Sequence, residues 1–234
     1  TLKRIRVAPP EAAYMFAFVN AHSVELAHRN NRFGKSISAS DFVAADGVGI
    51  TLASKILGKS LSERICGPDF FNALCKSANT EKLQLRMFFL GSTEKTLRAL
   101  EKVFEHRFPN LVFAGSYSPP FRKEFSPDDI DIMVKRVNAS DADVLWIGLG
   151  APKQEVLASE MKPLLKVKLI APIGGVFDFF TGRVKLPPAW AQRMGLIWLY
   201  RFCQQPRRLF RRTMDLPFFF LRVIRQRIME VSRK

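Results

Sequence analysis

The chain has 234 residues, enough for one domain with a full core, and its composition is ordinary for a globular protein apart from a net charge of +16. Three cysteines (Cys66, Cys75 and Cys203) form no C-x-x-C, which excludes a disulfide framework and a cysteine zinc site and fits a reducing cytoplasm. No secretory signal is visible, and no apolar run reaches the ~18–20 residues of a membrane span, so the protein is not expected to be integral to a membrane.

In chain order, residues 1–12 are basic and end in Pro9-Pro10, a lead-in rather than an element. Ala13–Val19 is an apolar run expected as the first strand, and Ser23 is placed to cap a helix running to about Asn31. Phe42–Ala45 reads as a short buried strand stopped by Asp46-Gly47, and Val48–Leu57 as a helix closed by Gly58. Gly67-Pro68-Asp69 opens a helix to about Ser77. Leu85–Leu90 is a strand, and Glu94–Arg107 a helix with Leu97, Leu100, Val103 and Phe104 on one face. Leu111–Ala114 is the next strand. Ser126-Pro127-Asp128-Asp129 then starts a helix, with a cap, a proline in the first turn and acids against the dipole. Val144–Glu155, VLWIGLGAPKQE, has five apolar residues among its first six and reads as a fully buried strand followed by a turn and a helix to about Leu165. Leu169–Ile173 is the last strand, ending at Gly174-Gly175. Strands alternate with helices throughout, which predicts an α/β fold with a mainly parallel sheet over residues 1–182.

From residue 183 the pattern is helical and basic. Thirteen Lys/Arg face only Asp215 and Glu230, so residues 183–234 carry about +11 of the total. Ala189–Gln204 has helical spacing, Pro206 breaks it, and a final helix is expected from Pro217, with Phe218, Leu221, Ile224, Ile228 and Val231 on one face. A basic amphipathic segment of this kind suits an anionic partner, and an interfacial membrane anchor is favoured over a helix packed on its own domain or on a second copy. A nucleic-acid-binding module is disfavoured, because the arginines interleave with a continuous apolar face.

In open parallel sheets ligands bind at the carboxyl edge. Asp46 follows a buried strand directly, beside Gly47 and Gly49, where a carboxylate can act as a general base; the same position suits a helix cap, and the residues alone do not separate the two. Lys153, Gln154 and Glu155 follow the Val144 strand. Gly174, Gly175 and Asp178 form a second loop at the same edge, whose backbone amides could hold a phosphate or a uracil. Asp141-Ala142-Asp143 matches the D-x-D of metal-dependent sugar-nucleotide enzymes, but it lies at the entry end of its strand, away from that edge. No histidine has metal-ligand spacing, and Gly148-x-Gly150 lacks the third glycine of a dinucleotide fingerprint.

AADGVGI at 44–50, GLGAPKQE at 148–155, IGGVFDFFTG at 173–182 and GLIWLYRFCQQPRRLFRR at 195–212 resemble, in order and at matching spacing, the bacterial WecG/TagA/CpsF glycosyltransferases. The resemblance runs from about Asn20 to Arg212 and implies a Rossmann-like core with a C-terminal helical appendage over 183–234. It implies an inverting, metal-independent transfer, without cofactor, from a UDP-sugar to a polyprenyl-diphosphate-linked sugar on the cytoplasmic membrane face, for cell-surface polysaccharide or teichoic acid. The donor sugar would be N-acetylmannosamine, its uronic acid or another hexose.

Carried over residue by residue, the family's proposed base is Asp46, and Asn20, Arg64 and Gln154 match substrate-binding positions. Arg201, Arg208 and Arg211 match the arginines that would neutralise a leaving UDP. Phe18 stands where many relatives have Thr, Leu186 replaces an Arg, and Ile197 and Gln205 replace acids. A catalytically silent scaffold in a polysaccharide complex and a homo-oligomer are both compatible with the sequence.

Overall fold

The computed structural model describes residues 13–232 other than 60, 62, 189, 192, 193 and 195, and the side chains among them other than those of 201, 207–209, 211 and 212. The expected lead-in at 1–12 lies outside the described residues.

Six strands form one sheet: β1 (Tyr14–Val19), β2 (Phe42–Ala45), β3 (Arg86–Gly91), β4 (Val112–Tyr117), β5 (Val144–Gly148) and β6 (Leu169–Pro172). Their order is β2-β1-β6-β5-β3-β4, and every pairing is parallel. The alternation of β5 shows why the sheet needs both faces covered. Val144 and Trp146 enter one apolar layer, Leu145 and Ile147 the other, and all four are fully buried.

The first layer is built on α4 (Gly67–Thr80), α5 (Glu94–Arg107) and α8 (Val176–Phe180), and it is strongly aromatic. Phe71 packs edge-on to Trp146 at 4.9 Å, and Phe89 to Phe177 at 5.7 Å. The second layer uses α6 (Pro127–Ala139) and α7 (Lys153–Met161). Ser126 caps α6 in a reciprocal box with Asp129.

Between β1 and β2 the chain forms two helices, α1 (Ala21–Arg29) and α2 (Asn31–Ser38), where the pattern predicted one. Asn30 explains the break: its side chain accepts from the Phe33 N–H and starts a new helix. The cap of α1 is Asn20 rather than Ser23, since Asn20 Oδ1 accepts from the Ser23 N–H at 3.0 Å and from its hydroxyl at 3.2 Å.

α2 packs on α7, whereas the chain leaving β6 enters α8, which packs on α4 and α5. The neighbouring strands β1 and β6 thus send their connections to opposite faces of the sheet. That arrangement opens a crevice at the carboxyl edge.

After β2 comes α3 (Val48–Ile56), and the chain ends in α9 (Ile197–Gln204) and α10 (Pro206–Val231). The expected helix start at Ala189 falls partly outside the described residues. A helix start at Pro217 is not what forms, because α10 runs straight through that proline. Losing an internal N–H and crowding the previous turn costs about 3 kcal/mol. Phe219 and Val223 are buried among Ala21 of α1 and Ala53 of α3, with Leu216 and Phe220 beside them; burial at about 1.5–3 kcal/mol for each large side chain offsets that cost. The expected stripe of Phe218, Leu221, Ile224, Ile228 and Val231 is the exposed face of α10, opposite in role to the face that packs through Phe219 and Val223.

Candidate active site

The crevice is a cleft of about 440 Å³ at the carboxyl ends of β1, β2, β5 and β6. Six of the residues singled out in the sequence line it: Asn20, Asp46, Arg64, Gln154, Gly174 and Gly175. They come from five separate segments, four of them following strands of the sheet and the fifth, with Arg64, laid along β2.

Asp46 sits at the end of β2, with its N–H donating to the Val19 carbonyl at 2.8 Å. The N-cap position of α3 is Gly47, not Asp46; its φ of +93° is left-handed backbone that a glycine adopts without strain. Arg64 reaches the same edge because the Ile65 N–H donates to the Ala45 carbonyl at 3.1 Å, which lays that loop along β2. Asn20 commits its oxygen to capping α1, so its Nδ2 is the end able to donate to a ligand.

Gln154 is buried although it opens a helix. Its Oε1 accepts from the Gly150 N–H at 2.9 Å and its Nε2 donates to Glu155 Oε1 at 2.8 Å, so it fixes the GLGAPKQE turn from inside. Lys153 of the same motif turns away from the cleft. It donates to the Arg122 carbonyl and lies 3.7 Å from the centre of the Phe125 ring, and burial pulls its pKa below the ordinary lysine value.

In the second loop the Gly174 N–H is spent on the Ile147 carbonyl at 3.2 Å. Asp178 lies on α8 outside the cleft wall, with Oδ1 3.4 Å from Arg183. Arg201 lies on α9, and Arg208 and Arg211 on α10; their side chains are outside the described residues.

Asp143, at the opposite edge of the sheet, accepts from the Arg86 N–H and pairs with Lys168 at 2.8 Å, tying three strands together there. Among the described residues, no group of three or more His, Cys, Asp and Glu is disposed to hold a metal ion.

Sequence reasoning missed three contributors. Cys66 lies in the wall with its thiol donating to Asp69 Oδ2 at 2.8 Å; burial, then Asp69, pushes that thiol up to about 12. Helices α9 and α10 close one side of the cleft through Ile197, Trp198, Leu216 and Phe220. His22, two residues after the cap of α1, also lines the cleft and is held there by Asp215 of α10. Its position in the first turn beside Asn20 was visible in the sequence, but its partner was not.

Residues 1–233 match the Glycosyl transferase WecG/TagA/CpsF family. Among curated proteins, an N-acetylglucosaminyldiphosphoundecaprenol N-acetyl-beta-D-mannosaminyltransferase of Bacillus spizizenii (strain ATCC 23059 / NRRL B-14472 / W23) is 32% identical over 199 residues, covering 85% of this chain and 74% of the relative. A protein of the same name from Bacillus subtilis (strain 168) is 28% identical over 208 residues, covering 89% and 78%. A parallel α/β sheet, a cleft at its carboxyl edge that gathers residues from the matching motifs, and a family match over nearly the whole length lead to one assignment: the chain belongs to the WecG/TagA/CpsF family of glycosyltransferases.

Proposed function

We propose that this glycosyltransferase moves a sugar from a UDP-sugar to a sugar carried on a polyprenyl diphosphate. The two relatives are named for N-acetylmannosamine transfer to N-acetylglucosaminyl-diphosphoundecaprenol, which makes that donor and that acceptor the first pair to test. The observation that carries the reading is the placement of Asp46. Its carboxylate stands at a strand end in a cleft, off the helix N-cap position, with Asn20 and Arg64 in the same wall.

In a single displacement, Asp46 takes the proton of the acceptor hydroxyl as its oxygen bonds to the anomeric carbon. The bond from that carbon to the diphosphate breaks on the other side, and its electron pair leaves with UDP, which inverts the configuration. Charge then builds on the departing diphosphate, where Arg201, Arg208 and Arg211, with Arg64, would neutralise it. Asn20 Nδ2 orients a sugar hydroxyl, and Gln154 holds the floor of the cleft through the Gly150 turn.

Residues 183–234 are proposed as a membrane-associating unit on the cytoplasmic face. Support comes from the exposed apolar stripe of α10, with Arg225 and Arg227 beside it, on a helix whose other side is packed. Among the described residues, no helix is long and apolar enough to cross a membrane.

The test is transfer from a panel of UDP-sugars to a short-prenyl diphosphate-linked N-acetylglucosamine, comparing the native chain with Asp46→Asn. A fall of about 10²–10⁴-fold in kcat is expected for the variant. Undiminished turnover would remove Asp46 as the base, and no product with any donor would remove the acceptor assignment.

A further inference from the structure

The cleft has two chemically different walls. Asn20, Asp46, Arg64 and Gln154 make one polar. The apolar lining is Val48 and Leu52 of α3, Ile197 and Trp198 of α9, and Leu216 and Phe220 of α10.

The α3 pair is the part that the fold does not account for. Ala53 of that helix is buried against α1 and α10, so α3 already has a packed face. Val48, Leu52 and Lys55 form a separate exposed stripe at i, i+4 and i+7, and Val48 and Leu52 are 38% and 46% exposed. On α5, by contrast, the exposed positions include Lys95, Arg98, Lys102 and Glu105. Two partly exposed aliphatic side chains, one turn apart and both lining the cleft, have hydrocarbon contact to offer. Trp198 of α9 is likewise 45% exposed while lining the same cleft.

We propose that Leu52, with Trp198, forms a subsite for the first isoprene units of the lipid-linked acceptor, reached past Val48. The inference rests on the acceptor reading above and adds where its hydrocarbon runs. α3 begins directly after Asp46-Gly47, so the stripe leads away from the reacting centre, with Leu52 about 6 Å further along the helix than Val48. An acceptor hydroxyl at Asp46 places the rest of its sugar and the diphosphate beside the start of α3, and the prenyl chain beyond them reaches Leu52. The UDP-sugar donor has no hydrocarbon to match this wall.

The test compares kinetics on two acceptors that carry the same sugar diphosphate, one ending in a methyl group and one in two isoprene units, below their aggregation concentrations. For the native chain, KM should be lower for the prenyl acceptor. Leu52→Ser should raise KM for the prenyl acceptor about tenfold, with KM for the methyl acceptor, KM for the donor and kcat unchanged. Leu52→Met should restore the native preference, and Ile132→Ser, an exposed aliphatic position on α6, should leave it intact. Equal KM shifts on both acceptors, or a native enzyme indifferent to the prenyl group, would overturn the subsite while leaving the transferase reading in place. Native inactivity on every lipid diphosphate would remove the acceptor reading and the subsite together.

Discussion

His22 Nδ1 lies 2.5 Å from Asp215 Oδ2, joining the first helix of the fold to its last across 193 residues. Arg29 donates to the other oxygen of the same carboxylate, and about two helical turns along α10 Arg222 donates to the buried Glu25 of α1 at 2.9 Å. Two buried carboxylates and their cations therefore pin α10 over the cleft.

Asp215→Ala should reduce stability by about 2 kcal/mol, the scale of a charge-assisted hydrogen bond left unmade, measured by urea denaturation. Burial alone would push the Asp215 carboxyl up, but its hydrogen bonds from Arg29 and His22 outweigh that and hold it below the ordinary carboxylate value. A depressed carboxyl contributes stability above its unfolded pKa of about 3.9 and loses it as pH falls through the lower folded value. The native chain should therefore weaken steeply below about pH 4, and Asp215→Asn should flatten that acid limb.

The thiols should sort by environment. Cys66 and Cys75 are buried with raised pKa values, whereas Cys203 is exposed. At pH 8 a maleimide should label Cys203 alone by intact mass, with the other two reacting only after denaturation. Rapid labelling of Cys66 would mean that the cleft wall opens.

Gly148, at the end of β5, has no room for a methyl group. A Cβ there would meet Phe177 at 2.5 Å, inside the aromatic layer, where Phe177 is itself buried. Gly148→Ala should cost about 1–3 kcal/mol by overpacking, visible as a lower midpoint of thermal unfolding.

The outward face of α10 gives a separable test of membrane association. Leu221→Glu combined with Ile228→Glu changes two exposed positions, so the fold should hold. Flotation with anionic liposomes should be lost, while transfer to a short, water-soluble acceptor persists.

Much of the scaffold was legible because it is local. The buried run of β5, the Ser126 start of α6 and the stop of β2 at Asp46 each depend on a few neighbouring residues, and each stands where the pattern put it. The second helix at Asn31–Ser38 was hidden because Asn30 acts both as the end of one helix and the cap of the next. Pro217 misled because local propensity says stop, while packing against α1 and α3 says continue. Lys153 and Gln154 are neighbours in one motif, yet one turns outward and the other is buried, a division set by Phe125 and Gly150. Pairs such as His22 with Asp215 leave no periodic trace, so the apolar wall that Leu216 and Phe220 of α10 give the cleft could only be seen in three dimensions.

The strand order has a consequence for the protein's biogenesis. β1 and β2 emerge from the ribosome before the other four strands, but the inner neighbour of β1 is β6, which ends at Pro172, and Leu216 and Phe220 of the cleft come later still. Contacts of such long sequence separation form slowly and late. A nascent chain can assemble β3 and β4 while its first two strands still wait for a partner. The complete cleft therefore forms only after α10 has been made, so a chain that stops before Leu216 lacks one of its walls.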